Sequence, residues 1–170
     1  MACHLLGLTS TFHPLPLATI VKLKPSSQLT GVAGEYFVAA ELSRRGFIAS
    51  ITMRNTRGID ILATNAEAKR AVTIQCKTSR NTQKGWIVTE KSEQFVSEGH
   101  FYVFVKLRTE FERPAYYIVP NKVVAHYIFT THREWLKGKK ANGGQSKDSA
   151  MRIFSDSEDK YLEKWDLLGL

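Results

Sequence analysis

Two stretches, Gly58-Ile59-Asp60-Ile61-Leu62-Ala63-Thr64 and Ala71-Val72-Thr73-Ile74-Gln75-Cys76-Lys77-Thr78, carry the pattern on which both fold and chemistry turn. Each is short, apolar and rich in β-branched residues, and the segment between them is polar, so both are predicted to be strands joined by a turn. Successive side chains of a strand point to opposite faces. Ile59 and Ile61 therefore point one way and Asp60 the other, while Val72, Ile74 and Cys76 share one face and Thr73, Gln75 and Lys77 the opposite one. If the strands pair with that face in common, a carboxylate, an amide oxygen and an ammonium converge among apolar neighbours. Such a meeting is costly unless each group is paired, hydrated or bound to a metal.

Upstream, residues 28–45 hold Val38, Ala39 and Leu42 at helical spacing, and Gly46 supplies a stop. At about 100° per residue, Glu35 falls on the side of that apolar stripe, with Glu41 and Arg44 on the far side. A carboxylate there is either a candidate for chemistry or a flank of the helix start, where the helix dipole favours negative charge. Residues 47–54 read as a further strand. Downstream, residues 86–88 extend the sheet, 91–98 form a short helix, and 101–107 and 115–119 are two more strands. A helix starts at Asn121 after Pro120, a second covers 132–137, and the Gly-, Lys- and Ser-rich stretch 138–149 reads as a mobile loop. Tyr161, Leu162, Trp165 and Leu168 return to helical spacing. This order predicts an α/β fold with a central mixed β-sheet flanked by helices. The expected division is a tail at 1–27, a core at 28–137, and a basic loop with a C-terminal helix packing on the core at 138–170.

The composition agrees with one domain: 170 residues at 43% hydrophobic content suffice for one substantial core. Lys and Arg number 24 against 16 Asp and Glu, a formal charge of +8, which favours a polyanionic partner, with nucleic acid the default. Charge serving solubility alone is the competing explanation. Cys3 and Cys76 lie far apart with no Cys-x-x-Cys pattern, which fits a reducing compartment and sets a cytoplasmic expectation. No apolar run approaches the roughly 20 residues needed to span a bilayer. Residues 1–27 lack a basic start and a small-residue cleavage site, so a tail is expected rather than a signal peptide.

Gly34-Glu35 opening a helix, Gly58-Ile59-Asp60-Ile61 on one strand and Ile74-Gln75-Cys76-Lys77 on the next resemble, in order, the three signature elements of the PD-(D/E)XK nuclease superfamily, which includes Holliday junction resolvases and many restriction endonucleases. The likeness covers residues 28–78 well and the elements through 128 more loosely. Two positions depart from the pattern. Ile59 stands where proline is usual, and Gln75 replaces the usual acid, as in the Gln-x-Lys variant of Mrr-like relatives.

The resemblance implies a metal-dependent DNA endonuclease, a hydrolase of phosphodiester bonds, structure-selective as resolvases are. It also implies Mg²⁺ or Mn²⁺ as cofactor, held directly by Asp60, by the Gln75 side-chain oxygen and by the Cys76 backbone carbonyl, with Glu35 acting through water. Lys77 would orient the attacking water or stabilise developing charge. Arg80, Lys84, Trp86 and Lys91 are the expected DNA contacts, the alternative being an ordinary solvated loop with Trp86 capping the core edge. The five histidines show no metal-ligand spacing, and the Cys76 thiol reads as a small core group. A catalytically inactive DNA-binding or protein-interaction module on the same fold stays open because of Gln75. A homodimer stays open too, since no self-complementary patch is legible.

Overall fold

The computed structural model describes residues 25–53, 58–80, 85–109, 112–138 and 144–170. The expectations placed on residues 1–24, on Lys84 and on positions 139–143 of the 138–149 stretch lie outside these. Helix α1 (Ser27–Arg44) begins where the Ser26 hydroxyl accepts the Leu29 amide at 3.2 Å, satisfying one of the donors that a helix start leaves open. Beyond its end, Gly46 takes a φ of 88°, a conformation open to glycine, and the chain turns into the sheet. The buried stripe of α1 is Thr30, Gly34, Val38, Glu41 and Leu42. That corrects the sequence reading, which put Glu41 on the far side; the stripe runs through Gly34, the residue small enough to let the helix approach the sheet. Glu41 tolerates burial because the guanidiniums of Arg44, Arg113 and Arg45 surround it at 2.6, 2.7 and 3.1 Å. The hydrogen bond from Arg44 is the main reason its carboxyl lies below the ordinary range.

The strands that follow are β1 (Ile48–Ile51), β2 (Ile61–Thr64), β3 (Ala71–Ser79), β4 (Trp86–Thr89), β5 (His100–Lys106), β6 (Ala115–Pro120) and β7 (Met151–Phe154). Five of them form a mixed sheet in the order β1-β2-β3-β5-β6, antiparallel except for the β3–β5 pair. A parallel step needs a crossover, and the segment carrying β4 and α2 (Lys91–Gln94) supplies it. Residues 86–88 do not extend this sheet as expected. Both edges of β3 are already taken by β2 and β5, so β4 pairs instead with β7 in a separate two-stranded ribbon. The alternation Met151-Arg152-Ile153-Phe154 that makes β7 was not anticipated.

Three helix boundaries also differ from expectation. Helix α2 ends at Gln94, and the chain leaves it so that Phe95 packs edge-on against His100, with ring centroids 4.9 Å apart. Helix α3 (Asn121–Lys137) is continuous, so the separate helix at 132–137 is its last turns. The C-terminal helix is absent: Asp159 and Glu163 sit at φ of 54° and 55°, and turns lead to a 3₁₀ segment at Trp165–Leu168.

Two cores result. On one face of the sheet, α1 with Trp165 and Leu168 covers Ile61, Ile74, Val103 and Ile118. On the other, α3 and the ribbon cover Tyr102, Phe104, Tyr117 and Val119. That second cover leaves part of β2 and β3 open: Leu62 is 48% exposed, and Thr73, Gln75 and Lys77 are half-buried.

Candidate active site

Asp60 lies one residue before β2, yet its backbone continues the pairing. Its amide donates to Ile74 O at 2.8 Å and its carbonyl accepts from Thr52 N at 2.9 Å. The bond to Ile74 O falls one residue out of the Ile61↔Ile74 register, so the β2–β3 ladder bulges at Asp60, whose carboxylate reaches Cys76 N at 2.7 Å. Ile61, Ile74 and Cys76 point into the α1-side core, so Gln75 and Lys77 occupy the opposite, open face, and Asp60 stands at the end of the ladder, close enough to Lys77 for that charge to act on its carboxyl.

Backbone direction adds a fourth group. Thr73 N donates to Gly99 O and Ser79 O accepts from Leu107 N, so the odd-numbered residues of β3 hydrogen-bond toward β5. The even-numbered ones face β2: Ile74 O accepts from Asp60 N, and Cys76 N donates to Asp60 Oδ2 at 2.7 Å. By the same alternation the Cys76 carbonyl points to that edge, past the end of β2 and beside the Asp60 carboxylate.

The electrostatics follow from this packing. Burial pushes the Asp60 carboxyl above its ordinary pKa, and the bond from Cys76 N and the charge of Lys77 only partly offset it. A carboxylate stripped of water beyond what its neighbours repay is one that gains from a cation. The Cys76 thiol is driven well above its ordinary range by burial and then by the charges of Asp60 and Glu35, which makes it inert as a nucleophile. Glu35 is thus close to the site, but it comes from α1, on the other face of the sheet from Gln75 and Lys77. Its approach is set by Gly34, where a Cβ would stand 1.8 Å from Thr78 Oγ1.

The donors within reach are hard oxygens: the Asp60 carboxylate, the Gln75 amide oxygen, the Cys76 carbonyl and, from α1, Glu35. This set fits Mg²⁺ or Mn²⁺. Gly58, at φ 65°, lies next to the amide: a Cβ there would stand in ordinary contact with Gln75 Oε1, at 3.8 Å. No three His, Cys, Asp or Glu side chains cluster as a metal site among the described residues.

Of the expected DNA contacts, Arg80 is exposed just past β3, and Lys91 is exposed at the start of α2. Trp86 requires correction. It is 7% exposed, its Nε1 donates to Val105 O at 3.0 Å, and it packs against Phe104 and Tyr117, so its ring is core and offers no face to DNA. One neighbour of the site was missed by the sequence reading: Tyr102, registered beside Gln75 in the parallel pair. Its signal is the alternation His100, Tyr102, Phe104, legible only once the β3–β5 register is known.

The bacterial homing endonuclease I-Ssp6803I superposes on this chain with a TM-score of 0.53, at 15% identity, over 85% of this chain and 92% of its own. The chain has a restriction endonuclease-like fold. Hjc, a Holliday junction resolvase from the archaeal hyperthermophile Archaeoglobus fulgidus, superposes with a TM-score of 0.47, at 15% identity, over 82% of this chain and 95% of its own. No family model and no curated protein matches the sequence. Within the restriction endonuclease-like fold, the open stretch over β2 and β3 is where Asp60, Gln75 and Lys77 lie. No helix among the described residues is long and apolar enough to cross a membrane.

Proposed function

We propose that the protein is a Mg²⁺- or Mn²⁺-dependent endodeoxyribonuclease that hydrolyses phosphodiester bonds, with branched DNA as its substrate. The observation that supports this reading is the Asp60 carboxylate bonded to Cys76 N at the open end of the β2–β3 ladder, under the charge of Lys77, with Gln75 and Lys77 on either side of Cys76 in the chain. Asp60, Gln75 Oε1 and the Cys76 carbonyl would hold the cation, with Glu35 joined through water. Bound there, the cation supplies neutralisation of phosphate charge and a more acidic water. Lys77 contributes a compact ammonium that orients the attacking oxygen and stabilises charge developing on the phosphate. Arg80 and Lys91 grip flanking phosphates, and the charge of +8 draws the polyanion in. Because an amide oxygen is neutral, the cation is held more weakly than by a Glu-bearing site, and a DNA phosphate completes the negative charge. Cutting paired strands calls for two such sites, hence a homodimer.

Digestion of branched, linear and modified DNAs, each with and without Mg²⁺, tests the proposal. Asp60→Asn and Lys77→Ala abolish cutting while the melting temperature holds; undiminished cutting by both rules out the assignment. Gln75 in place of an acid favours a second reading, an inert DNA-binding module on the same fold. Calorimetry finding no Mg²⁺ or Mn²⁺ affinity, even with DNA present, would establish that one instead.

A further inference from the structure

The formal charge of +8 leaves cations without carboxylates, and their places differ in kind. Arg44, Arg45 and Arg113 are neutralised by Glu41 and Glu163, and Arg152 by Glu93 and Asp148. On the solvent side of α3, Lys122, Arg133 and Lys137 form no ion pair with any described residue. With His126 and Phe129 they recur every three or four residues, so the five make one exposed stripe about 22 Å long. The helix carries a single carboxylate, Glu134. Asp156 and Glu158 line the groove that Lys122 and His126 border, together with Lys160, and both Asp156 oxygens are taken by the amides of Lys160 and Tyr161, at 3.1 and 2.8 Å.

Arg133 is the centre of this stripe. Its guanidinium lies over the Phe129 ring, 4.0 Å from the centroid, and makes no hydrogen bond with a described residue. Phe129 is 41% exposed, a poor place for a ring unless it holds something. What it holds is a cation laid flat, with the N–H edges left free, the geometry that takes two phosphate oxygens at once. Helix α3 covers the same face of the sheet on which Gln75 and Lys77 lie open, so its outer side forms a border about one helix diameter high beside that face. We propose that this stripe is a DNA-backbone contact outside the reacting centre: Arg133, held flat by Phe129, takes one phosphate, and Lys122 and Lys137 take others to either side along the helix. The proposal rests on the nuclease reading above for its partner, DNA, and not for any step of the reaction.

The test compares Arg133→Gln, Phe129→Leu, those two combined, and the triple variant Lys122→Gln, Arg133→Gln, Lys137→Gln with the unaltered protein. Fluorescence anisotropy follows binding of a labelled branched oligonucleotide, without divalent metal, from about 50 to 200 mM salt. Every altered side chain is exposed, so the melting temperature holds. Arg133→Gln lowers the magnitude of the salt slope by about one, and the triple variant by about three. Phe129→Leu keeps every charge yet weakens binding about threefold, the scale of an exposed cation–π contact, and adds nothing once Arg133 is gone. In cutting assays the triple variant raises KM and leaves kcat as it was, because the stripe touches no reacting atom. An unchanged slope in the triple variant overturns the proposal, and a Phe129→Leu effect that persists without Arg133 overturns the role given to the ring. An unaltered protein that binds no DNA sinks the nuclease reading and the stripe with it. Normal binding by that protein with indifferent variants sinks the stripe alone, whereas binding without cutting sinks the catalytic reading and leaves the slopes to decide the stripe.

Discussion

Gly34→Ala sets two large and opposed effects against each other. In a free helix, glycine to alanine stabilises by about 1 kcal/mol. Here the added Cβ would lie 1.8 Å from Thr78 Oγ1, 2.9 Å from Thr78 Cβ and 3.0 Å from Thr78 Cγ2. An ordinary separation is about 3.5 Å. Rotating the threonine moves the hydroxyl, but Cβ is fixed by the β3 backbone, so α1 has to lift away from the sheet. Overpacking of this kind costs typically 1–3 kcal/mol. The net expectation is destabilisation by roughly 1 kcal/mol, or about 2–4 °C in melting temperature for a chain of this size. Thr78→Ala removes Oγ1 and Cγ2 and leaves the contact at Cβ, so in that background Gly34→Ala becomes neutral or mildly stabilising. Urea denaturation of the four proteins of this cycle reads the coupling, expected at about 1 kcal/mol or more. A stabilised Gly34→Ala protein, or additivity within about 0.3 kcal/mol, would refute the close approach of α1 to β3.

His100 is 2% exposed, and burial lowers its pKa from 6.5 to about 4. Above pH 6.5 it is neutral folded or unfolded; as the pH falls from there toward 4, only the unfolded chain takes up the proton, so roughly 2–3 kcal/mol of stability is lost over that window. His100→Gln should flatten this stretch of a stability-versus-pH curve measured by denaturation, and an unchanged slope would be evidence against the assignment. Glu41→Gln takes the shared carboxylate from three guanidiniums, of which Arg45 and Arg113 keep Glu163 at 3.4 Å. With two of those arginines about half exposed, the expected loss is roughly 1–2 kcal/mol in urea denaturation, shrinking in high salt. Arg80→Ala should reduce the magnitude of the salt slope of DNA binding by about one, and no change would remove it from the interface.

The two strands and the facing of their side chains were legible in the sequence because strand alternation is strictly local. The shared face of Gln75 and Lys77 needed only that rule, whereas the bulge at Asp60, whose amide meets Ile74 O out of register, could not be read from it. Helix α1 was legible as a helix, but its buried side was misjudged at Glu41, since the reading weighed hydrophobicity and the structure weighed size and ion pairing. The ribbon of β4 with β7 joins residues more than sixty positions apart, and no local pattern announces such a partner. Trp86 illustrates the same limit. Its basic neighbours suggested an exposed anchor, while its burial depends on Phe104, Tyr117 and the Val105 carbonyl, none of them near in sequence. Tyr102 was hidden for that reason too: a buried tyrosine reads as packing until the strand beside it is known.

The rung closed by Asp60 Oδ2 and Cys76 N uses a side chain where neighbouring rungs use a peptide carbonyl. Deleting that side chain outright would strand a peptide hydrogen inside the protein and blur loss of chemistry with loss of structure, whereas asparagine keeps an acceptor in place and removes only the charge. Amide exchange at the single position Cys76 then serves as a gauge of integrity at the reacting end of the sheet, readable without substrate or metal.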